Sequence, residues 1–221
     1  MRNQVYFISL AQEQTNCLKG FILQTPNDGG PFCSLVISEY QPNNSKVSSC
    51  GGLYIADKEY DLDELLQTYS LPVSLGNSDS VCRFHAMSMV LPMKIFRTHT
   101  EATRKQLEDL AKLITQTELR IASGQVDENT EKDNKSLNSM NLHHMRIHRR
   151  WNFERELGAS ILQYFDIAVA RENGKRKDTL KAIIKPMRSQ VERQARYSLA
   201  LKYDMDTIPK RIRNQSKAVS I

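Results

Sequence analysis

Leu18 to Tyr40 reads LKGFILQTPNDGGPFCSLVISEY, two runs rich in branched and aromatic residues around a cluster of Pro, Asn, Asp and Gly. The flanking runs, Leu18–Gln24 and Phe32–Tyr40, suit extended strands because such side chains pack well on a pleated, half-buried surface. Between them, Pro26-Asn27-Asp28-Gly29-Gly30-Pro31 offers residues that tolerate positive φ and prolines that stop backbone pairing. A hairpin follows, and with it an antiparallel sheet.

Upstream, Val5–Leu10 (VYFISL) is a third strand-like run. Downstream, Gln41–Gly52 is loop-like, Leu53–Ala56 suits a short strand, and Asp61–Tyr69 suits a short helix with acidic residues in its first turn. Val81–Phe96 (VCRFHAMSMVLPMKIF) is continuous and apolar, which predicts a strand ending or bending near Pro92. Thr98-His99-Thr100-Glu101 has capping-box spacing and predicts the start of a helix. Leu107, Leu110, Ala111, Ile114 and Ile121 carry that helix to a stop at Gly124.

Gln125–Met140 holds few apolar residues, so it reads as a mobile linker and the first site of proteolysis. Helical spacing resumes over Asn141–Glu172, with Asn173-Gly174 as its stop. Asp178 suits the cap of a third helix through Ile184, Pro186 kinks it or begins another, and Val191, Ala195, Ser198, Leu201 and Met205 mark a fourth run. The fold class expected is α+β, an N-terminal antiparallel sheet with short helices followed by a basic helical C-terminal bundle. Its regions are 1–124, a linker at 125–140, and 141–221.

A chain of 221 residues with 40% hydrophobic content can bury a core without metal or disulfide staples. The start, MRNQVYFISLAQEQ, lacks a signal peptide's apolar region, and no stretch approaches the roughly 18 apolar residues of a membrane span. A cytoplasmic protein without membrane partners is expected. Cys17, Cys33, Cys50 and Cys82 form no C-x-x-C pair, which fits reduced and mostly buried thiols.

The net charge of +6 is unevenly spread. Residues 1–97 hold 7 Lys/Arg and 9 Asp/Glu, residues 98–140 hold 6 and 8, and residues 141–221 hold 18 and 8. Charge segregated in this way produces a local potential that attracts polyanions, and nucleic acid is the commonest of these inside cells.

Within the basic third, Arg146, Arg149, Arg150, Trp151 and Arg155 combine guanidinium groups, which bind phosphate in a fork, with an indole that can stack on an unpaired base. Core anchoring is an equally natural use of Trp151. Lys175-Arg176-Lys177 opens a second group that continues through Lys181, Lys185, Arg188, Arg193 and Arg196. Lys177, Lys181, Lys185 and Arg188 recur every three or four residues and align on one helical stripe about 16 Å long, with no acidic member. Lys210, Arg211, Arg213 and Lys217 form a basic tail expected to order on binding.

His144 and His148 are the nearest approach to a metal pair, but Arg146, Arg149 and Arg150 would repel a divalent ion, so neither metal nor cofactor is expected. The acidic cluster Asp57, Glu59, Asp61, Asp63 and Glu64 fits helix N-terminal charge better than metal binding. Phosphate-loop, dinucleotide, nucleophile-elbow and zinc-protease patterns are missing from the sequence.

The function expected is therefore a non-enzymatic nucleic-acid-binding subunit of a larger nucleoprotein complex, such as an RNA-guided defence complex or a nucleocapsid-like assembly. RNA or single-stranded DNA is favoured over duplex, and other protein subunits are expected partners. An assembly module for an acidic partner is the alternative, and a metal-dependent nuclease is a weaker one. Composition alone carries these analogies.

Overall fold

Successive side chains of a strand point to opposite faces of its sheet, so packing buries one set of positions in each N-terminal strand. The computed structural model describes residues 4–11, 17–26, 32–41, 49–57, 80–123 and 130–219. Strands β1 (Gln4–Ala11), β2 (Cys17–Gln24), β3 (Cys33–Gln41) and β4 (Ser49–Ala56) form one antiparallel sheet in sequence order. The β2–β3 register pairs Phe21 with Ile37 and Leu23 with Leu35, placing Phe21, Leu23 and Leu35 together in the core. The hairpin closes through Thr25, whose N–H donates to the Cys33 carbonyl at 2.9 Å and whose Oγ1 accepts from the Cys33 N–H at 2.7 Å. β4 begins at Ser49, earlier than its apolar residues suggest. Gly52 permits this, because a Cβ there would sit 2.7 Å from the Val36 carbonyl oxygen.

Four helices follow: α1 (Ser80–Ala122), α2 (Thr130–Arg171), α3 (Gly174–Ala200) and α4 (Lys202–Val219). Val81–Phe96 is not a strand but the opening of α1. Cys82, Ala86, Met89, Met93 and Phe96 are buried at alternating four- and three-residue steps, and Pro92 lies inside the helix. A continuous apolar run fits a buried strand and a buried helix equally well by periodicity, and the length of the element decides between them. The capping-box residues Thr98 to Glu101 are therefore mid-helix, where Thr100 Oγ1 donates to the Phe96 carbonyl one turn back at 2.9 Å. The expected stop at Gly124 and the helix at Asp61–Tyr69 lie outside the described residues.

The four-three alternation is a heptad seam. In α1 it continues from Phe96 through Thr100, Thr103, Leu107, Leu110, Ile114 and Thr117, all buried. In α2 it runs through Asp133, Leu137, Met140, His144, Ile147, Trp151, Glu154, Gly158, Ile161, Phe165 and Ala168, all buried. Leu180, Ile184, Met187, Val191 and Ser198 extend it along α3, Leu201 carries it across the α3–α4 junction, and Met205, Ile208 and Ile212 continue it along α4. A sustained seven-residue repeat keeps the seams of neighbouring helices in contact. α1 and α2, each about 64 Å long at 1.5 Å per residue, pack as a helical hairpin against which α3 and α4 complete a bundle.

This overturns the expected linker: residues 130–140 are the first turns of α2, anchored by Leu137, Met140 and an ion pair from Asp133 to Arg120 of α1. Residues 125–129 lie outside the description. The division at 125–140 fails with it, since each hydrophobic cluster draws on both sides. One cluster joins the sheet to the first half of α1, the second half of α2, and α3. The other joins the second half of α1, the first half of α2, and α4. The third helix starts at Gly174, whose positive φ of 55° makes the α2–α3 turn, and Pro186 sits within it. The basic tail is ordered as α4, held by Ile208, Ile212 and Val219.

Gly158 faces Phe96 so closely that a Cβ would lie 2.9 Å from the ring. Gly158→Ala gains up to about 1 kcal/mol of helix propensity but overpacks a buried contact at a cost of about 1–3 kcal/mol. Its urea midpoint should fall below wild type, and Phe96→Leu added to it should recover part of the loss. A Gly158→Ala protein more stable than wild type would contradict this packing.

Candidate nucleic-acid interface

Where a cationic side chain stands on a heptad helix decides whether it can meet a ligand. Arg150 lies next to the α2 seam and is only 1% exposed, and Trp151 is a seam residue at 3%. Both leave the expected binding set: the indole Nε1 donates to the Ser198 carbonyl at 2.8 Å near the end of α3, and burial removes its face from any base. Arg146, Arg149 and Arg155 remain exposed, with the Arg155 guanidinium 5.0 Å from the centre of the Trp151 ring.

His144 and His148 have structural roles. The missing N–H of Pro209 leaves the Met205 carbonyl, one turn back in α4, without its helical donor. His144 Nε2 donates to that carbonyl at 2.9 Å. His148 Nδ1 accepts from Asn152 at 3.2 Å. Among the described residues no group of three His, Cys, Asp or Glu side chains gathers around a metal-sized space.

The deepest polar layer joins α1, α2 and α3. His99 Nδ1 lies 3.0 Å from Glu154 Oε1, and Ser198 Oγ donates to Glu154 Oε2 at 3.0 Å. The carboxylate is central, so the imidazole is not placed to take a proton from the hydroxyl, and the layer is a structural tie.

On α3 the expected stripe is real as a line of side chains. Lys177 is half-buried and Lys181 and Lys185 are exposed, and among the described residues none has a carboxylate partner. Arg188 differs, because it pairs with Asp166 of α2 and reaches Glu192 at 3.8 Å. The stripe therefore does acquire acidic neighbours, supplied by tertiary packing. It borders a groove of about 500 Å³ whose lining includes Val169, Ala170 and Ile184. Lys175, Arg176, Arg193 and Arg196 are exposed. Lys210 and Arg213 are exposed on α4, whereas Arg211 is tied back to α1 through Glu118 at 2.9 Å and Thr115 at 2.8 Å.

A second groove, of about 480 Å³, lies between α1 and α3 and is lined by Arg97, Glu101, Arg104, Gln190, Arg193, Gln194 and Tyr197. Sequence reasoning singled out only Arg193 among these. The signal was the four-residue step from Arg193 to Tyr197, matched on α1 by Arg97, Glu101 and Arg104. Tyr197 and, at the start of α4, Tyr203 are the exposed aromatic rings of this part of the molecule. Among the described residues no helix is long and apolar enough to cross a membrane. No protein-family model matches the sequence and no curated protein matches it.

Two outcomes follow from the histidines. His144→Ala leaves the Met205 carbonyl unmet at a cost of about 1–3 kcal/mol, and Pro209→Ala in the same chain restores a backbone donor. A denaturation double-mutant cycle should show that recovery, and additive losses would exclude the pairing. Burial, reinforced by the charge of Arg150 and opposed by Glu154, pushes the His99 pKa down, so the folded form holds it neutral. Below about pH 6.5 the unfolded chain takes up a proton that the folded chain refuses. Stability should therefore fall with falling pH, by up to about 1.4 kcal/mol per unit for this group. His99→Gln should flatten the dependence, and an unchanged slope would assign it elsewhere.

Proposed function

We propose that the chain is a non-enzymatic nucleic-acid-binding subunit whose α3 surface contacts phosphates, with single-stranded RNA or DNA favoured over duplex. One observation carries this reading: α3 has eight basic and two acidic residues, and Lys177, Lys181 and Lys185 are unpaired among the described residues. Unpaired cations at one-turn spacing can exchange their counterions for phosphates without first breaking a protein ion pair. Exposed Tyr197 and Tyr203 replace Trp151 as rings on which unpaired bases can stack. Membership of a larger complex is supported by the outer face of the sheet, where Leu53 and Ile55 are exposed. A cytoplasmic setting accords with the buried thiols of Cys33, pushed up to about 11 chiefly by burial, and Cys82.

A second reading has its own support. The apolar residues Val169, Ala170 and Ile184 beside the stripe suit an acidic helix from a protein partner, which would bury its apolar side there and meet the lysines with its carboxylates.

Salt titration of binding to a labelled single-stranded 12-mer and to a duplex of the same length separates the two. The variant Lys177→Gln, Lys181→Gln, Lys185→Gln alters half-buried or exposed positions and should keep the fold. Its slope of log K against log salt on the single strand should be shallower by about 2, from roughly 0.7 per contact. An unchanged slope in the folded variant removes α3 as the phosphate-binding face. No binding to either oligomer at low salt rejects the nucleic-acid reading and leaves the acidic partner.

A further inference from the structure

We propose that the groove between α1 and α3 is a nucleotide-stacking site, in which a base of a single strand lies against Tyr197 while its phosphates are held by Arg193, Arg97 and Arg104. This rests on the nucleic-acid reading and adds the part of the interface that touches bases. Positions flanking a heptad seam normally form ion pairs between helices. Here the flank of α1 offers Arg97 and Arg104, and the facing flank of α3 offers Arg193 and Tyr197. Arg97 and Arg104 are paired within their own helix, to Glu101 at 2.8 Å and to Glu108, rather than across the groove. Arg193 has no carboxylate partner among the described residues.

The chemistry of the lining is selective. Exposed pairs one turn apart contribute little to stability, so Arg97 and Arg104 can turn to a phosphate at small cost. A groove of guanidinium groups alone would suit any polyanion, including an acidic peptide. This one adds a phenol ring that is 41% exposed, the amide of Gln194 and the carboxylate of Glu101. A ring gives the π-face on which any base stacks. A carboxylate repels phosphate but accepts from an exocyclic amine, as acidic side chains do with cytosine. The groove volume of about 480 Å³ falls within the range of sites that enclose a small molecule.

The test compares a dodecamer of deoxycytidine with a dodecamer of abasic deoxyribose phosphate, both fluorescently labelled, with the full chain. Wild type should bind the base-bearing strand about tenfold tighter, the scale of one stacked base. Tyr197→Ala should abolish that preference and leave abasic affinity unchanged, while Tyr197→Phe should retain it. Arg193→Gln should reduce the salt slope by about 0.7 on both strands. Circular dichroism melts confirm that each variant is folded. Equal binding of the two strands by wild type, or a preference surviving in Tyr197→Ala, overturns the stacking site and leaves phosphate binding by α3 intact. No binding to either strand overturns both readings together.

Discussion

The carboxylate of Glu154, enclosed in the helical core between His99 and Ser198, is the tie on which the rest of the bundle depends. An apolar heptad seam is nearly indifferent to sliding by one repeat, about 10 Å along the axis, because one leucine layer resembles the next. A polar layer pairs in one alignment only, and a mismatch strands a buried charge. Leaving one member of such a layer without its hydrogen-bond partner costs about 1–3 kcal/mol. The tie also fixes the rotation of α3. With Ser198 turned inward, Tyr197 lies about 100° round the helix and faces the groove beside α1. The geometry of the candidate site is thus inherited from a buried layer that no ligand touches.

The sheet was legible because short runs of branched and aromatic residues and a Pro/Gly-rich turn are local signals that tertiary contacts rarely reverse. The helices were legible only in part, and the seam residues show why. Thr100, Thr103 and Thr117 in α1 and Asp133, His144, Glu154 and Gly158 in α2 occupy positions where an apolar residue is expected. Counting apolar residues therefore breaks one repeat into fragments, which produced a strand at Val81–Phe96 and a linker at Gln125–Met140. Asp133 is buried because Arg120 meets it from another helix, a pairing that composition cannot reveal.

The same limit governs the cations. Arg150 and Arg149 are adjacent and identical in type, yet their places about the seam bury one and expose the other. Lys177, Lys181 and Lys185 were readable because helical spacing alone aligns them. Arg188 needed the tertiary structure, since Asp166 comes from α2. What emerges is a helix with one flank of lysines toward α2 and another with arginine and tyrosine toward α1. The first flank sets its cations beside Val169, Ala170 and Ile184, and the second sets them beside an exposed aromatic ring.

The meander order of the strands has a consequence for assembly. Each strand pairs with its neighbour in sequence, and the α1–α2 and α2–α3 contacts also join consecutive elements. Short loops close at little entropic cost, so such pairings form early and fast. α3 and α4 also reach back to α1, and α4 is the later of the two. It must return to α1, where Arg211 meets Glu118 across 93 residues of chain. Until it does, Leu107, Leu110 and Ile114 lack the partners that α4 brings. Docking of α4, rather than formation of the sheet, then sets when the far end of the hairpin is covered and protected from aggregation.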